Sequence, residues 1–340
     1  MDDHGVELAA LLSRRLKQPG NPVASVRLLR DKLAFRSLLK RHRMNCPWFR
    51  HLRSDAGAAA LRALRFPAVV KARRLSASRG VIRADSRPAL VRAVAQVRRI
   101  QKQGDRDAAR LGLVIEQFIP GRECALEGLL VDGRLRVLAL FDKPDPLEGP
   151  YFEETIYVTP SQLPARVQRG AARAVAQACR HAGLVCGPVH AEFRVNKRGI
   201  WLLEIAPRSI GGLCGSVLTH ALGMTLEELI LRHALGRPLP AARQRAACGV
   251  MMLPIPERGI LEEVTGLGKA LAVKGVTGIR MTAERGQIVA PPPEGTGYLG
   301  FIFARGRAVT QVEASLRNAL KRLEIKIRPD VPLRTTRAGS

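Results

Sequence analysis

The apolar pattern predicts an α+β chain, helices and short strands interleaved in more than one lobe, and three observations carry that prediction. Helical periodicity opens the chain and returns over residues 161–183. Strand-length runs rich in Val, Ile, Leu and Phe, parted by Pro120-Gly121, Asp132-Gly133 and Asn196-Lys197-Arg198-Gly199, fill the middle. At 340 residues the chain can bury a sizeable core, enough for two or three domains or subdomains around a deep cleft.

Taken in order, residues 5–17 place Val6, Ala9, Ala10, Leu12 and Leu16 in a helical pattern that ends at Gln18-Pro19-Gly20. A second helix is predicted from Asn21, as N-cap, with Pro22 in its first turn, through Val26, Leu29, Leu33 and Leu38 to about residue 43. Lys32 falls on it and, on periodicity alone, is an exposed helical lysine. Residues 44–82 read as strand (46–51), helix (54–64), strand (66–72) and another strand after the small-residue loop Ser76-Ala77-Ser78-Arg79-Gly80. The middle strand delivers Lys71 ahead of that loop. Such a loop can lay backbone N–H groups on phosphate oxygens while the lysine adds a point charge, although it is not a Walker A sequence and a plain hairpin connection is its commoner meaning.

A helix over 88–102 precedes strands across 111–143, on which Glu116 is exposed in the plainest reading. Asp142-Lys143-Pro144 and Glu153-Glu154 bracket a long loop that should lie over the cleft, its charges solvated unless a ligand claims them. Helices follow over 161–183 and 226–235. Residues 248–327 then alternate short strands with turns before a helix near 310–323, and the final residues form a basic tail.

The richest stretch is 185–216, which reads as an antiparallel hairpin. With Lys197, Arg198 and Gly199 as a three-residue loop, Asn196 pairs with Ile200, Val195 with Trp201 and Glu192 with Glu204. Alternation then sets His190, Glu192 and Arg194 on one face with Leu202 and Glu204, while Ala191, Phe193, Val195, Leu203 and Ile205 face the core. Opposed carboxylates with Cβ atoms about 4.5–5.5 Å apart destabilise a sheet unless neutralised. A hard divalent cation such as Mg²⁺ does so; a solvated face with Glu192 paired to Arg194 is the rival account. Ala206-Pro207-Arg208 and Gly211-Gly212 follow, a turn-forming segment that sets a fixed cation beside the carboxylates.

With these motifs in this order, the chain resembles the ATP-grasp superfamily, and in particular its carboxylate-amine ligases related to dipeptide synthetases. The resemblance implies the ATP-grasp fold: two α+β lobes gripping ATP, with a lid-like C-terminal α+β subdomain. The implied divisions are 1–20 (remnant of an N-terminal domain), 21–115 (linker helices and small lobe), 116–240 (large lobe with the metal site), 241–328 (C-terminal subdomain) and 329–340 (tail). Lys32 and Lys71 would meet the nucleotide phosphates, and Ser76, Ser78 and Gly80 would belong to the loop folding over them. The backbone from Glu116 to Phe118 would bond the adenine edge, and Glu123 the ribose hydroxyls. Glu192 and Glu204 would hold Mg²⁺ (or Mn²⁺), Arg208 the substrate carboxylate or tetrahedral intermediate, Lys143 would approach the transferring phosphate, and His190 would assist.

The implied reaction makes an acyl phosphate and ADP, then an amide, from small-molecule carboxylate and amine substrates. Three departures stand out. Ala206 replaces the usual Asn, removing one metal ligand; Ser76-Ala77-Ser78 replaces a glycine run; and, set against the resemblance, the chain is expected to lack most of the small α/β domain that normally precedes this point. A homodimer, or a partner supplying that domain, follows as an expectation.

Composition bounds the alternatives. A formal charge of +27 raises nucleic-acid binding, yet aromatics are 4% of the chain, arginines are spread along it, and no nucleic-acid-binding signature stands out. No uninterrupted apolar run approaches the roughly 18 residues of a membrane span, and the start lacks signal-peptide features. Six cysteines without C-x-x-C spacing point to reduced thiols and a cytoplasmic setting. A nucleotide-binding module without turnover and a basic nucleic-acid-binding protein remain the rivals.

Overall fold

The helix expected to run from residue 21 to 43 is two helices. In the computed structural model, which describes residues 3–104, 106–239, 246–295 and 297–330, the chain opens with helices Asp3–Arg15, Val23–Arg30 and Lys32–Arg41. Asp31 adopts an extended backbone (φ −104°, ψ 106°), and its carboxylate accepts from the Leu33 and Ala34 amides, so it caps a new helix. Asn21, the expected cap, instead accepts from the Val185 and Cys186 amides and donates to the Cys186 carbonyl. The helix expected over 54–64 is a single 3₁₀ turn, Ala58–Leu61. Among its described side chains only Leu61 is well buried, too little burial to hold several turns.

A small antiparallel sheet follows in the order Phe49–Leu52, Leu113–Gln117, Ala68–Ala72, Val81–Ala84. Helix Arg87–Gly104 covers one face, burying Leu90, Val94 and Val97 against Val70, Ile82 and Ile115. The opposite face, with Val69, Lys71 and Glu116, is turned to the cleft.

The larger sheet has eight strands in the order Val276–Met281, Gly300–Gly306, Ala247–Leu253, Ile156–Thr159, Arg134–Asp142, Arg122–Val131, Gly187–Asn196, Gly199–Ala206. Helix Ala165–Ala182 ends at Gly183 in the left-handed conformation and buries Val175, Ala178 and Cys179 against Leu126, Ala191 and Phe193. Across the sheet, Phe141, Tyr157, Met252 and Phe301 form a second core with the short helices Leu218–Leu222 and Leu226–Ala234. A three-stranded sheet (Ile288–Val289, Gly259–Thr265, Glu324–Arg328) and helix Val309–Leu320 complete the C-terminal part. Strands from residues 247–306 thus extend the sheet begun by residues 122–206. The expected division at 240/241 and most of the expected tail lie outside the described residues.

Candidate active site

The hairpin reaches the expected pairing by an unexpected route. Its turn has two residues, not three: Asn196 pairs with Gly199, Val195 with Ile200, Arg194 with Trp201 and Phe193 with Leu202. Gly199 (φ 114°) and the Asn196 side chain, which accepts from the Arg198 amide, close this tighter loop. A bulge then adds Leu203, and Glu192 pairs with Glu204 as expected. The bulge also exchanges two leucines. Leu202, expected on the chemical face, is buried with Phe193 and Ile205, and Leu203 lines the cleft beside Glu204.

Small sheet, hairpin and C-terminal strands enclose a cleft of ≈ 730 Å³. Of the residues singled out from sequence, Lys32, Lys71, Ser76, Ser78, Glu116, Phe118, Glu123, His190, Glu192, Glu204 and Arg208 line it; Gly80 and Lys143 do not. Gly80 serves the fold. It sits at φ +65° with its carbonyl accepting from the Ala72 amide, and an added Cβ would stand 3.2 Å from that of Ala72. The cleft-facing turn is Ser76–Arg79, closed by the Arg79 amide on the Ser76 carbonyl (3.2 Å), with Ala77 and Ser78 both left-handed at φ 54° and 55°. Two non-glycine residues there store strain of order 1–3 kcal/mol each.

Neither lysine of this wall is a solvated surface group. Lys32 Nζ donates to the Leu75 carbonyl (2.6 Å), supporting the turn, and lies 3.4 Å from Glu204. Lys71 Nζ stands 2.7 Å from Glu116 Oε1. Glu116, read as exposed, is buried and receives a bidentate Arg36 guanidinium at 2.7 and 3.0 Å. Burial opposes its charge, yet Arg36 and Lys71 hold the Glu116 carboxyl down at about 2. Burial lowers the Lys71 ammonium, with Glu116 acting against it. The backbone expectation for this hinge changes too: the Gln117 and Phe118 amides already donate to the Trp48 and Pro67 carbonyls. The Phe118 ring packs beside Phe152 and lies beneath the guanidinium groups of Arg83 and Arg194.

The opposite wall is acidic. Glu123, Glu154 and Glu192 each offer an oxygen within 4.8 Å of the others. Lys143 Nζ joins them at 2.8, 2.6 and 3.4 Å, so the lysine expected near a phosphate is instead buried beneath the cleft as the link among three carboxylates. Glu123, expected at a ribose, also accepts from Arg194 Nε (2.8 Å). Tyr157 donates to Glu154 (2.7 Å). Burial raises the Glu154 carboxyl, against the pull of Lys143. Glu192 goes the other way, held well below the usual range because Lys143 and His190 outweigh burial.

His190 faces a carboxylate with each ring nitrogen: Nδ1 meets Glu127, and Nε2 lies 3.3 Å from Glu192. Burial opposes its protonation, but Glu127 and Glu192 raise it to about 10, so the ring is cationic. Glu127 also accepts from the Ile210 amide (3.1 Å), tying the loop after Arg208 to the sheet. Arg208 donates to the Ser209 carbonyl (3.0 Å). Ala206 is buried opposite His190. Cys214 packs against Met252, and burial pushes its thiol up.

Arg36 and Glu127 were not legible as site residues, because their partners come from distant segments. Glu154 was read only as a charge on the loop over the cleft, and its pairing with Lys143 and Tyr157 was not foreseen. Arg36 carried one local signal, an arginine one turn after Lys32 on a helix whose Phe35 and Leu39 are buried.

The donor chemistry fits Mg-ATP. One wall gathers carboxylate oxygens, the hard ligands Mg²⁺ takes, and the other presents lysines and a tight turn to phosphate oxygens, with Val69, Phe118 and Leu203 as apolar lining between.

Residues 64–217 of the chain match the ATP-grasp domain. Residues 251–328 match L-amino acid ligase C-terminal domain 2. The crystal structure of L-amino acid ligase from Bacillus licheniformis superposes with a TM-score of 0.85 at 28% identity, covering 96% of this chain and 80% of that one. Carnosine synthase 1 of Gallus gallus is 33% identical over 269 residues, 74% of this chain and 29% of that protein. The human carnosine synthase 1 is 27% identical over 271 residues. The chain thus spans about a third of these curated relatives, 29% and 32% of their lengths. N5-carboxyaminoimidazole ribonucleotide synthetase from Thermotoga maritima shares the fold at TM-score 0.71 and 17% identity, covering 96% of this chain and 81% of that one.

Proposed function

We propose that this chain is an ATP-dependent carboxylate-amine ligase, which activates a small-molecule carboxylate with ATP, joins it to an amine and releases ADP and phosphate. The observation that carries this reading is the register that sets Glu192 opposite Glu204 in the same cleft as Lys71. The names of two relatives, carnosine synthase and L-amino acid ligase, support it.

Glu192 and Glu204, with Glu123 and Glu154 adjoining Glu192, are the residues to hold Mg²⁺ or Mn²⁺. The ion supplies charge neutralisation to the transferring phosphoryl group, where positioning and electrostatics do most of the catalysis. Lys71 and Lys32 bring positive charge to the phosphates, and the Ser76–Arg79 turn offers backbone to them. Arg208 holds the substrate carboxylate. Lys143 and His190 act from below, fixing Glu192 in its ionised form. A cytoplasmic setting is supported by six free cysteines and by the absence, among the described residues, of a helix long and apolar enough to cross a membrane. A homodimer or covering partner is supported by the exposed Leu8 and Leu12 on the first helix and Leu16 just after it, and sedimentation across a concentration series reads it.

The test is a phosphate-release screen over amino-acid pairs with mass spectrometry of products. Mg²⁺-dependent release with a mass-identified amide, lost in Glu204→Ala, is the expected result. Mg-ATP binding without release for any pair replaces the ligase with a nucleotide-binding module, the reading that Ala206 favours. Steeply salt-dependent nucleic-acid binding indifferent to Glu192→Ala would favour a nucleic-acid-binding protein.

A further inference from the structure

Arg36 is fully buried, faces neither solvent nor the cleft lining, and uses its guanidinium in two directions. Nε and Nη2 form the fork on Glu116, the carboxylate that also receives Lys71. Nη1 donates to the Leu202 carbonyl at 3.1 Å. Leu202 is the last regularly paired residue before the bulge at Leu203. That position matters because of side-chain parity. Were the hairpin to continue from its two-residue turn without the bulge, Glu192 would face Leu203, Glu204 would face Ala191, and the Glu204 carboxylate would turn into the apolar core.

We propose that Arg36 is a positioning residue that couples the two walls of the cleft, setting Lys71 through Glu116 and holding the bulge that keeps Glu204 opposite Glu192. The proposal rests on the ligase reading for its kinetic arm alone; its structural arm stands without turnover. A lysine at this position keeps the charge but lacks the planar fork, so it cannot serve the carboxylate with two parallel bonds and the carbonyl with a third.

The experiment compares Arg36→Lys, Glu116→Gln and Phe35→Leu, the last a core change on the same helix that removes the ring 5.5 Å from the Arg36 guanidinium but no hydrogen bond to either wall. Hydrogen exchange on the ligand-free protein reads the amides of residues 203–205, and steady-state kinetics reads KM for ATP and the Mg²⁺ concentration for half-maximal rate. Arg36→Lys is expected to lose protection at 203–205 and to raise both constants by about 10- to 100-fold, the usual cost of removing a group that orients a ligand. Glu116→Gln should raise KM for ATP while leaving 203–205 protected. Phe35→Leu should lower the melting temperature and move neither readout.

If Arg36→Lys leaves the bulge amides protected and both constants unchanged, the proposal is overturned. It is equally overturned if Phe35→Leu reproduces the Arg36→Lys pattern, since the role is then only structural. Should the wild type show no turnover, the ligase reading fails by itself, and the exchange data still decide the coupling. If Arg36→Lys does not melt cooperatively, loss of 203–205 protection in Glu116→Gln overturns the separation of the two arms.

Discussion

The two walls of the cleft hold their charges in opposite ways. On the small-sheet side, two cations, Arg36 and Lys71, converge on one carboxylate, Glu116. On the large-sheet side, four carboxylates, Glu123, Glu127, Glu154 and Glu192, share Lys143, His190 and Arg194. Each wall carries a surplus of one sign that the protein does not neutralise itself, and each is built around a buried ion cluster that costs desolvation. The difference teaches how a cleft can be made for a ligand of mixed charge: the basic wall suits phosphate oxygens, the acidic one a divalent cation.

The comparison breaks most visibly through turnover. Glu192→Gln, which keeps shape but removes charge, should cut product formation by about 100- to 1,000-fold in the phosphate-release assay, as loss of one electrostatic group at a reacting centre does. Stability separates the walls next. Lys143→Met takes the shared cation from three crowded, partly buried carboxylates, which keep only Arg194, His190 and Tyr157 as partners, and should cost about 3–5 kcal/mol in urea unfolding, whereas Lys71→Met leaves Glu116 with its bidentate Arg36 and should cost only about 1.5–3 kcal/mol. Equal losses would show that the walls are not differently built.

Acid and alkali should then act on different walls of the metal-free protein. Glu116 is held at about 2 against an ordinary 4.5, so its contribution is present above pH 4.5 and is lost as pH falls toward 2. His190 is raised to about 10 from 6.5, so its contribution is full below pH 6.5 and is lost as pH climbs through 10. In melting curves, Glu116→Gln should flatten the acid limb and His190→Gln the alkaline limb; the reverse assignment would contradict the geometry. The smallest effect belongs to the phosphate-side turn. Ser78→Gly relieves a left-handed residue and should stabilise by about 1 kcal/mol in urea unfolding.

The hairpin shows how far sequence carried the site. Its opposed glutamates were legible, but through a turn one residue too long that the unforeseen bulge at Leu203 compensated. Alternation gives the face of a strand; it cannot announce where an extra residue enters. Gly80 was misassigned because a glycine beside a small-residue loop reads as permission for a ligand, when its φ of +65° and contact with Ala72 close a hairpin. The break at Asp31 was written in the sequence as a capping residue, and continuous apolar periodicity on both sides masked it. Arg36 with Glu116, 80 residues apart, and His190 with Glu127, 63 apart, were out of reach because an ion pair across folded segments leaves no local pattern.

The central claim is that Glu192 and Glu204 grip one divalent ion across from Lys71. Electron paramagnetic resonance of Mn²⁺ titrated into the protein with a non-hydrolysable ATP analogue tests it most directly. The account predicts a nucleotide-dependent Mn²⁺ site that disappears in both Glu192→Gln and Glu204→Ala while both variants still melt cooperatively. A Mn²⁺ site of unchanged affinity in either variant would contradict it.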